Sequence, residues 1–194
     1  MLAYEDSLPF RSVARAFCAL EASTKFPPAV GLVMWATESS WGKNVTGDNN
    51  YFGITSAPEN GSAKFCPTTE YVTPAQLLGF RPDERATAVP IAGKPTGTDG
   101  RVWYSMSRWF ASYTSLQDAC AQYIKLFTAS PQRYAPAWQK FLTDHDAEEL
   151  LKNLCAAGYA TGPAGVTELA IFHQSNISHA VAMARADLAA GNVS

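Results

Sequence analysis

The stretch PPAVGLVMWATESSWGKN, Pro27 to Asn44, constrains the fold more than any other. Val30, Val33, Met34 and Thr37 recur at helical spacing, and Pro28 is tolerated in a first helical turn. The pattern looks like a buried helix, yet it stops at a lone carboxylate, Glu38. Ser39, Ser40, Trp41 and Gly42 follow at once. An acid placed where an apolar helix runs out needs a reason.

The rest of the chain supplies a frame for that helix. Leu8, Val13, Ala16, Phe17 and Leu20 predict a preceding helix after a Ser7 cap. The Gly- and Asn-rich segment 41–62 reads as a loop, and AKFCPTTEYVT as a strand rich in Thr, Phe, Tyr and Val. Residues 74–100 carry Pro and Gly with no sustained period, an irregular excursion from the strand region. RVWYSMSRWFASY returns as an aromatic strand. Four helical stretches follow: Ser115 to Ala129, Pro131 to Leu142, Ala147 to Ala157, and Gly165 to about Ala190. Helices, a small strand-and-loop region, then helices predict one α+β domain over residues 1–194, its β-lobe and excursion spanning about 60–110.

Composition narrows the function. With 194 residues, 47% hydrophobic and 16% charged, the chain suits one packed domain rather than a disordered segment. The formal net charge is −2 and no basic stripe stands out, which argues against a nucleic-acid partner. Five Trp and eight Tyr suit a core, and equally a groove that stacks against sugar rings. Cys18, Cys66, Cys120 and Cys155 are scattered without zinc spacing, and His145, His173 and His179 complete no metal site; no cofactor is expected. No window reaches the roughly 18–20 apolar residues of a membrane span, and the N-terminal residues lack the pattern of a secretory leader.

Glu38 has the setting of a proton donor. Trp41 beside it supplies an apolar wall, and desolvation at such a rim keeps a carboxyl protonated near neutral pH. Glycosidic bond cleavage needs a donor of that kind for the leaving oxygen. A glutamate at a helix end is ordinarily an exposed residue with no role, so the surrounding words decide.

Those words are ATESSWGKN, NNYFGI, TTEY (Thr68 to Tyr71), RWFASYTSLQDACAQYIKLF, SPQRYAPAW and AAGYATGP, in that order. Together they resemble glycoside hydrolase family 73, the glucosaminidase domain of bacterial autolysins and flagellar peptidoglycan hydrolases. The resemblance runs from about Ala29 to Pro163. It implies a lysozyme-like fold, a mainly helical body with a small β-lobe flanking a substrate groove. It assigns Glu38 as general acid and Glu70 as the β-lobe carboxylate, a base for water or a stabiliser of oxocarbenium-like charge. As a base, Glu70 would invert, with a carboxyl separation of roughly 6.5–9.5 Å; a substrate-assisted route through the N-acetyl group stays open. Tyr159 would line the site and hydrogen-bond a developing charge or the N-acetyl group. Trp41, Tyr51, Phe52, Tyr71 and Tyr134 are candidate substrate contacts, with Phe52 better suited to the core. Departures from the family pattern are Gln122, where an acid often precedes the helix tyrosine, Gly162 before Pro163, and the long excursion.

The resemblance implies a peptidoglycan hydrolase, with endo-β-N-acetylglucosaminidase first and N-acetylmuramidase as the alternative. A glycan-binding module without catalysis is the reading of a different class, and the presence of both acids weighs against it. A chain of this pattern without a leader looks like a type VI secretion effector, made in the cytoplasm and acting in a rival's periplasm. A phage lysin is the runner-up. The expected partners are the glycan strand and a periplasmic immunity protein blocking the groove.

Overall fold

The computed structural model describes residues 8–129, 133–159 and 166–192. Helices α1 (Leu8–Thr24) and α2 (Pro28–Glu38) lead into a loop. Strand β1 (Ala63–Val72), the short helices α3 (Pro74–Leu77) and α4 (Pro82–Ala86), and strands β2 (Val89–Pro90) and β3 (Val102–Ala111) form the lobe. Helices α5 (Leu116–Thr128), α6 (Ala135–Asp144), α7 (Ala147–Ala156), α8 (Val166–Phe172) and α9 (Ser175–Ala189) complete the body. The result is the predicted α+β architecture. Ser7, Ser130 to Gln132 and Ala160 to Gly165 lie outside the described residues.

Helix α2 runs through the centre, against α1, α7, α8 and α9. Every residue from Val30 to Ala36 is buried, so the expected single face is in fact a helix apolar on all sides. Leu32, Val33, Met34 and Trp35 have no exposure at all. Burial of such side chains stabilises by about 1.5–3 kcal/mol each. This makes α2 a rigid post, and whatever sits at its end is held in place.

The lobe is an antiparallel sheet in the order β1-β3-β2. Cys66, Thr68 and Glu70 pair across with Arg108, Met106 and Tyr104, so all six share one face, as the two-residue pleat requires. Met106 and Tyr104 are buried on that face.

The excursion departs from the irregular path expected of it. Thr73 caps α3 through its side chain, accepting from the Gln76 N–H at 3.1 Å. Glu84 of α4 is buried, and its Oε2 accepts the Arg81 N–H at 3.1 Å while its Oε1 accepts the Trp109 N–H at 3.0 Å. One carboxylate therefore satisfies both its own helix start and β3. The last expected helix is also two: Gln174 adopts extended dihedrals (φ −72°, ψ 135°) and starts α9 afresh. All four cysteines are free thiols; Cys18, Cys120 and Cys155 are buried.

Candidate active site

The end of α2 is fixed by its own sequence. Ser39 is buried; its hydroxyl donates to the Trp35 carbonyl at 2.6 Å and accepts the Gly42 N–H at 2.7 Å. Ser40, Trp41 and Gly42 all take left-handed dihedrals (φ 50°, 61° and 78°). Such conformations cost a non-glycine residue about 1–3 kcal/mol and persist where packing over-determines them. Here the Trp41 ring sits edge-on against Phe10 and Trp35, at 5.7 and 6.3 Å. A Cβ at Gly42 would lie 2.8 Å from the Trp35 ring, so glycine is required there. The chain turns away sharply and leaves Glu38 projecting from the helix.

Glu38 opens into a cleft of about 340 Å³ lined by Phe52, Gly53, Tyr123, Phe127, Tyr134 and Tyr159 among others. Asn50 shapes the cleft's near side: its side chain donates to the Ile54 and Ala111 carbonyls at 2.9 Å, and its Oδ1 accepts the Ile54 N–H at 3.1 Å. Gly53, at φ 61°, presents bare backbone to open space. Phe52 is buried and stacks on Tyr123 with ring centroids 4.0 Å apart.

The Glu38 carboxyl is reached by a chain of hydroxyls. Tyr159 donates to Glu38 Oε1 at 2.8 Å. The Tyr123 and Tyr159 hydroxyls are also hydrogen-bonded. A phenol has one proton; with that of Tyr159 given to Glu38, Tyr123 must donate to Tyr159. Burial pushes both tyrosine pKa values well above the ordinary range, so both keep their protons.

Glu38 itself is accessible from the open side of the cleft, yet aromatic walls remove much of its hydration. Desolvation raises its pKa, the Tyr159 hydrogen bond lowers it, and the like charge of Glu168 raises it again; the net direction is upward. An upward shift of this kind is what suits a carboxyl to give a proton to a leaving group. Tyr159 occupies Oε1, which leaves Oε2 to carry the proton.

Glu70 stands on β1 of the lobe. It does not line the cleft, and its Oε1 accepts from Arg108 Nη1 at 3.0 Å. Arg108 also faces Glu84, Nε to Oε1 at 3.7 Å, so it links two lobe carboxylates. Tyr71 stacks on Trp103 at 4.7 Å with the Arg101 guanidinium over its ring. Tyr51 packs edge-on against Trp35. The structure thus brings Glu38, Tyr159, Phe52 and Tyr134 to one cleft and leaves Trp41, Tyr51, Glu70 and Tyr71 outside its lining. Tyr123 was not among the expected site residues; on sequence it reads as one position of an apolar helical stripe. Among the described residues no group of His, Cys, Asp and Glu is placed to hold a metal ion.

A model of the glucosaminidase family, described as mannosyl-glycoprotein endo-β-N-acetylglucosaminidase, matches residues 14–179. This chain belongs to the glucosaminidase family. Solved structures share the fold of this family member. A peptidoglycan hydrolase mutant from Sphingomonas sp. A1 superposes with a TM-score of 0.59 at 17% identity, covering 91% of this chain and 99% of that one. The catalytic domain of the autolysin Auto from Listeria monocytogenes gives 0.55 at 17% identity, over 91% and 82%. The glycoside hydrolase domain of FlgJ from Salmonella typhimurium gives 0.54 at 20% identity, over 99% and 98%. Among curated protein sequences nothing matches this glucosaminidase-family chain.

Proposed function

We propose that this glucosaminidase-family chain hydrolyses β-1,4 glycosidic bonds in the glycan strand of peptidoglycan, with Glu38 as general acid. One observation carries the reading: a carboxyl with a raised pKa, held at the end of a buried helix by Tyr159, facing an open cleft. Family membership and the peptidoglycan hydrolases among its structural neighbours support the substrate class.

The bond cut is the one after N-acetylglucosamine, the reaction of an endo-β-N-acetylglucosaminidase. Borohydride reduction of digested cell-wall sacculi, followed by mass analysis, tests this. Reduced N-acetylglucosamine ends are expected; reduced muramic ends alone would make the enzyme an N-acetylmuramidase instead.

For the second half of the reaction, the Glu70 carboxylate is paired with Arg108 and is not among the residues that line the cleft. That favours attack by the substrate's own N-acetyl oxygen, which retains the anomeric configuration, over activation of water by Glu70, which inverts it. Proton NMR of the first-formed product distinguishes the two.

Peptidoglycan lies outside the cytoplasmic membrane, and the proposed site of action is the periplasm of a target cell. The proposed biological role is that of an antibacterial effector, restrained by an immunity protein seated in the cleft. Expression in a sensitive bacterium with a periplasmic leader should be toxic through Glu38, and without the leader harmless. Equal harm from both forms rules the role out.

A further inference from the structure

Tyr159, which holds Glu38, is itself held at the end of α7. Ala157 caps that helix, and Gly158 follows in the left-handed region at φ 85°. The Gly158 N–H donates to the Cys155 carbonyl at 2.9 Å and the Tyr159 N–H to the Leu154 carbonyl at 3.1 Å, the bond pair that ends a helix on a glycine. Those bonds anchor the Tyr159 nitrogen and leave the Ala157 and Gly158 carbonyls to other donors. Arg133 supplies them: its Nε donates to the Ala157 carbonyl at 2.8 Å and its Nη2 to the Gly158 carbonyl. We propose that Arg133 is a positioning residue of the acid site, a clamp that keeps the Tyr159 hydroxyl on Glu38 and holds Tyr134 in the same cleft wall. The inference rests on the glycoside-hydrolase reading for the reaction that the clamp serves, and on the local geometry for the clamp itself.

The clamp joins two tyrosines of the cleft. Tyr134 follows Arg133 directly and starts α6, its carbonyl accepting the Trp138 N–H at 3.0 Å. The Arg133 guanidinium lies 5.1 Å from the centre of the Tyr134 ring. Tyr134 and Tyr159 both pack on Phe127, with ring centroids 5.2 and 5.4 Å from it. Arg133 thus ties the segment that carries Tyr134 to the segment that carries Tyr159, and Phe127 sets the space between their rings.

Arginine suits the place for two reasons. Its planar fork of N–H donors spans two successive carbonyls, which a single ammonium does not match. A cation is also favoured at the C-terminal end of a helix, where the orphan carbonyls gather. Gly158 completes the arrangement, since a Cβ there would lie 2.5 Å from Arg133 Nη2. The consequence reaches the acid through Tyr159. The titratable groups that act on Glu38 are Tyr159, Tyr123 of α5 and Glu168 of α8. A loosened Tyr159 weakens the hydrogen bond that favours the carboxylate and leaves the Glu168 charge in place. The Glu38 pKa then rises further.

The test uses the whole chain and follows the Glu38 carboxyl by carbon-13 NMR, its signal identified by its absence from Glu38→Gln. Arg133→Ala should move the Glu38 pKa upward. Arg133→Lys, which keeps the charge and loses the fork, should do the same. Either variant alone carries the test if the other does not fold. In a Tyr159→Phe chain neither replacement should move the pKa further, because both act through that hydroxyl. On sacculi, the alkaline limb of the pH–rate profile of Arg133→Ala should follow the pKa upward. Its rate below the limb should fall by about tenfold, the effect of a small misplacement. A chain that cuts glycan while both variants leave the Glu38 pKa unmoved overturns the clamp alone. A normal pKa in Arg133→Lys beside a raised one in Arg133→Ala, or a further rise in the Tyr159→Phe chain, makes the effect one of charge and also overturns the clamp. A chain that cuts nothing but shows the expected pKa pattern supports the clamp and defeats the hydrolase reading.

Discussion

Tyr159 donates its hydroxyl proton to Glu38 Oε1 at 2.8 Å, joining residues 121 positions apart in the chain. The bond has two effects of opposite sense. It orients the carboxyl, which helps the acid, and it stabilises the carboxylate, which works against the desolvation that raises its pKa. Burial and the nearby Glu168 charge outweigh it.

Replacement of Tyr159 by Phe separates those effects. General-acid activity disappears as pH rises through the Glu38 pKa, and Tyr159 lowers that pKa. Its loss should therefore move the alkaline limb of the pH–rate profile to higher pH. The rate below the limb should fall by about 10–100-fold, because an unanchored carboxyl is misplaced. An alkaline limb that stays put, or moves to lower pH, contradicts the assignment.

Glu38 should also cost stability at neutral pH. Its folded-state pKa is raised, so the folded protein binds this proton more tightly than the unfolded chain does. The resulting stabilisation is complete below the unfolded value of about 4.3 and is lost as pH rises through the folded value. Thermal denaturation of Glu38→Gln and the parent should give similar midpoints below about pH 4. Above that the Gln variant should become the more stable, with a gap that widens toward neutrality. A gap that narrows with pH would contradict the upward shift.

Glu84 is the lobe's latch. Glu84→Ala leaves the Arg81 and Trp109 N–H groups without their acceptor and removes a carboxylate facing Arg108. Loss of such buried partners costs about 2–4 kcal/mol. Urea denaturation should show that loss, and hydrogen exchange at the Trp109 amide should quicken. An unchanged unfolding midpoint would mean that the excursion is held by something else.

Much of this was legible in the sequence, because the signals were local. The apolar run into Glu38, the Gly- and Asn-rich loop after it, and the Thr- and aromatic-rich strands each depend on neighbours within a few positions. What was hidden depends on distant partners. Glu84 looks like an ordinary charge in a Pro-rich stretch until β3 brings the Trp109 N–H to it, 25 residues on. Tyr123 shows only its place in an apolar stripe, while its hydroxyl meets that of Tyr159, 36 residues away. Glu70 is legible as a lobe carboxylate, but its pairing with Arg108, 38 residues downstream, is not. The break at Gln174 escaped for another reason: the residues around it carry neither Gly nor Pro, so nothing in the composition interrupts the helical pattern.

The central claim is that Glu38 delivers the proton that breaks the glycan strand. Its most direct test is the clearance of purified peptidoglycan sacculi by Glu38→Gln, with the circular dichroism and melting of the variant showing that it is folded. The amide keeps the shape of the side chain and has no acidic proton to deliver, so the rate should fall by about 10²–10⁴-fold. A folded variant that still clears sacculi at more than about a tenth of the parent rate, far above what loss of a general acid permits, would contradict the account.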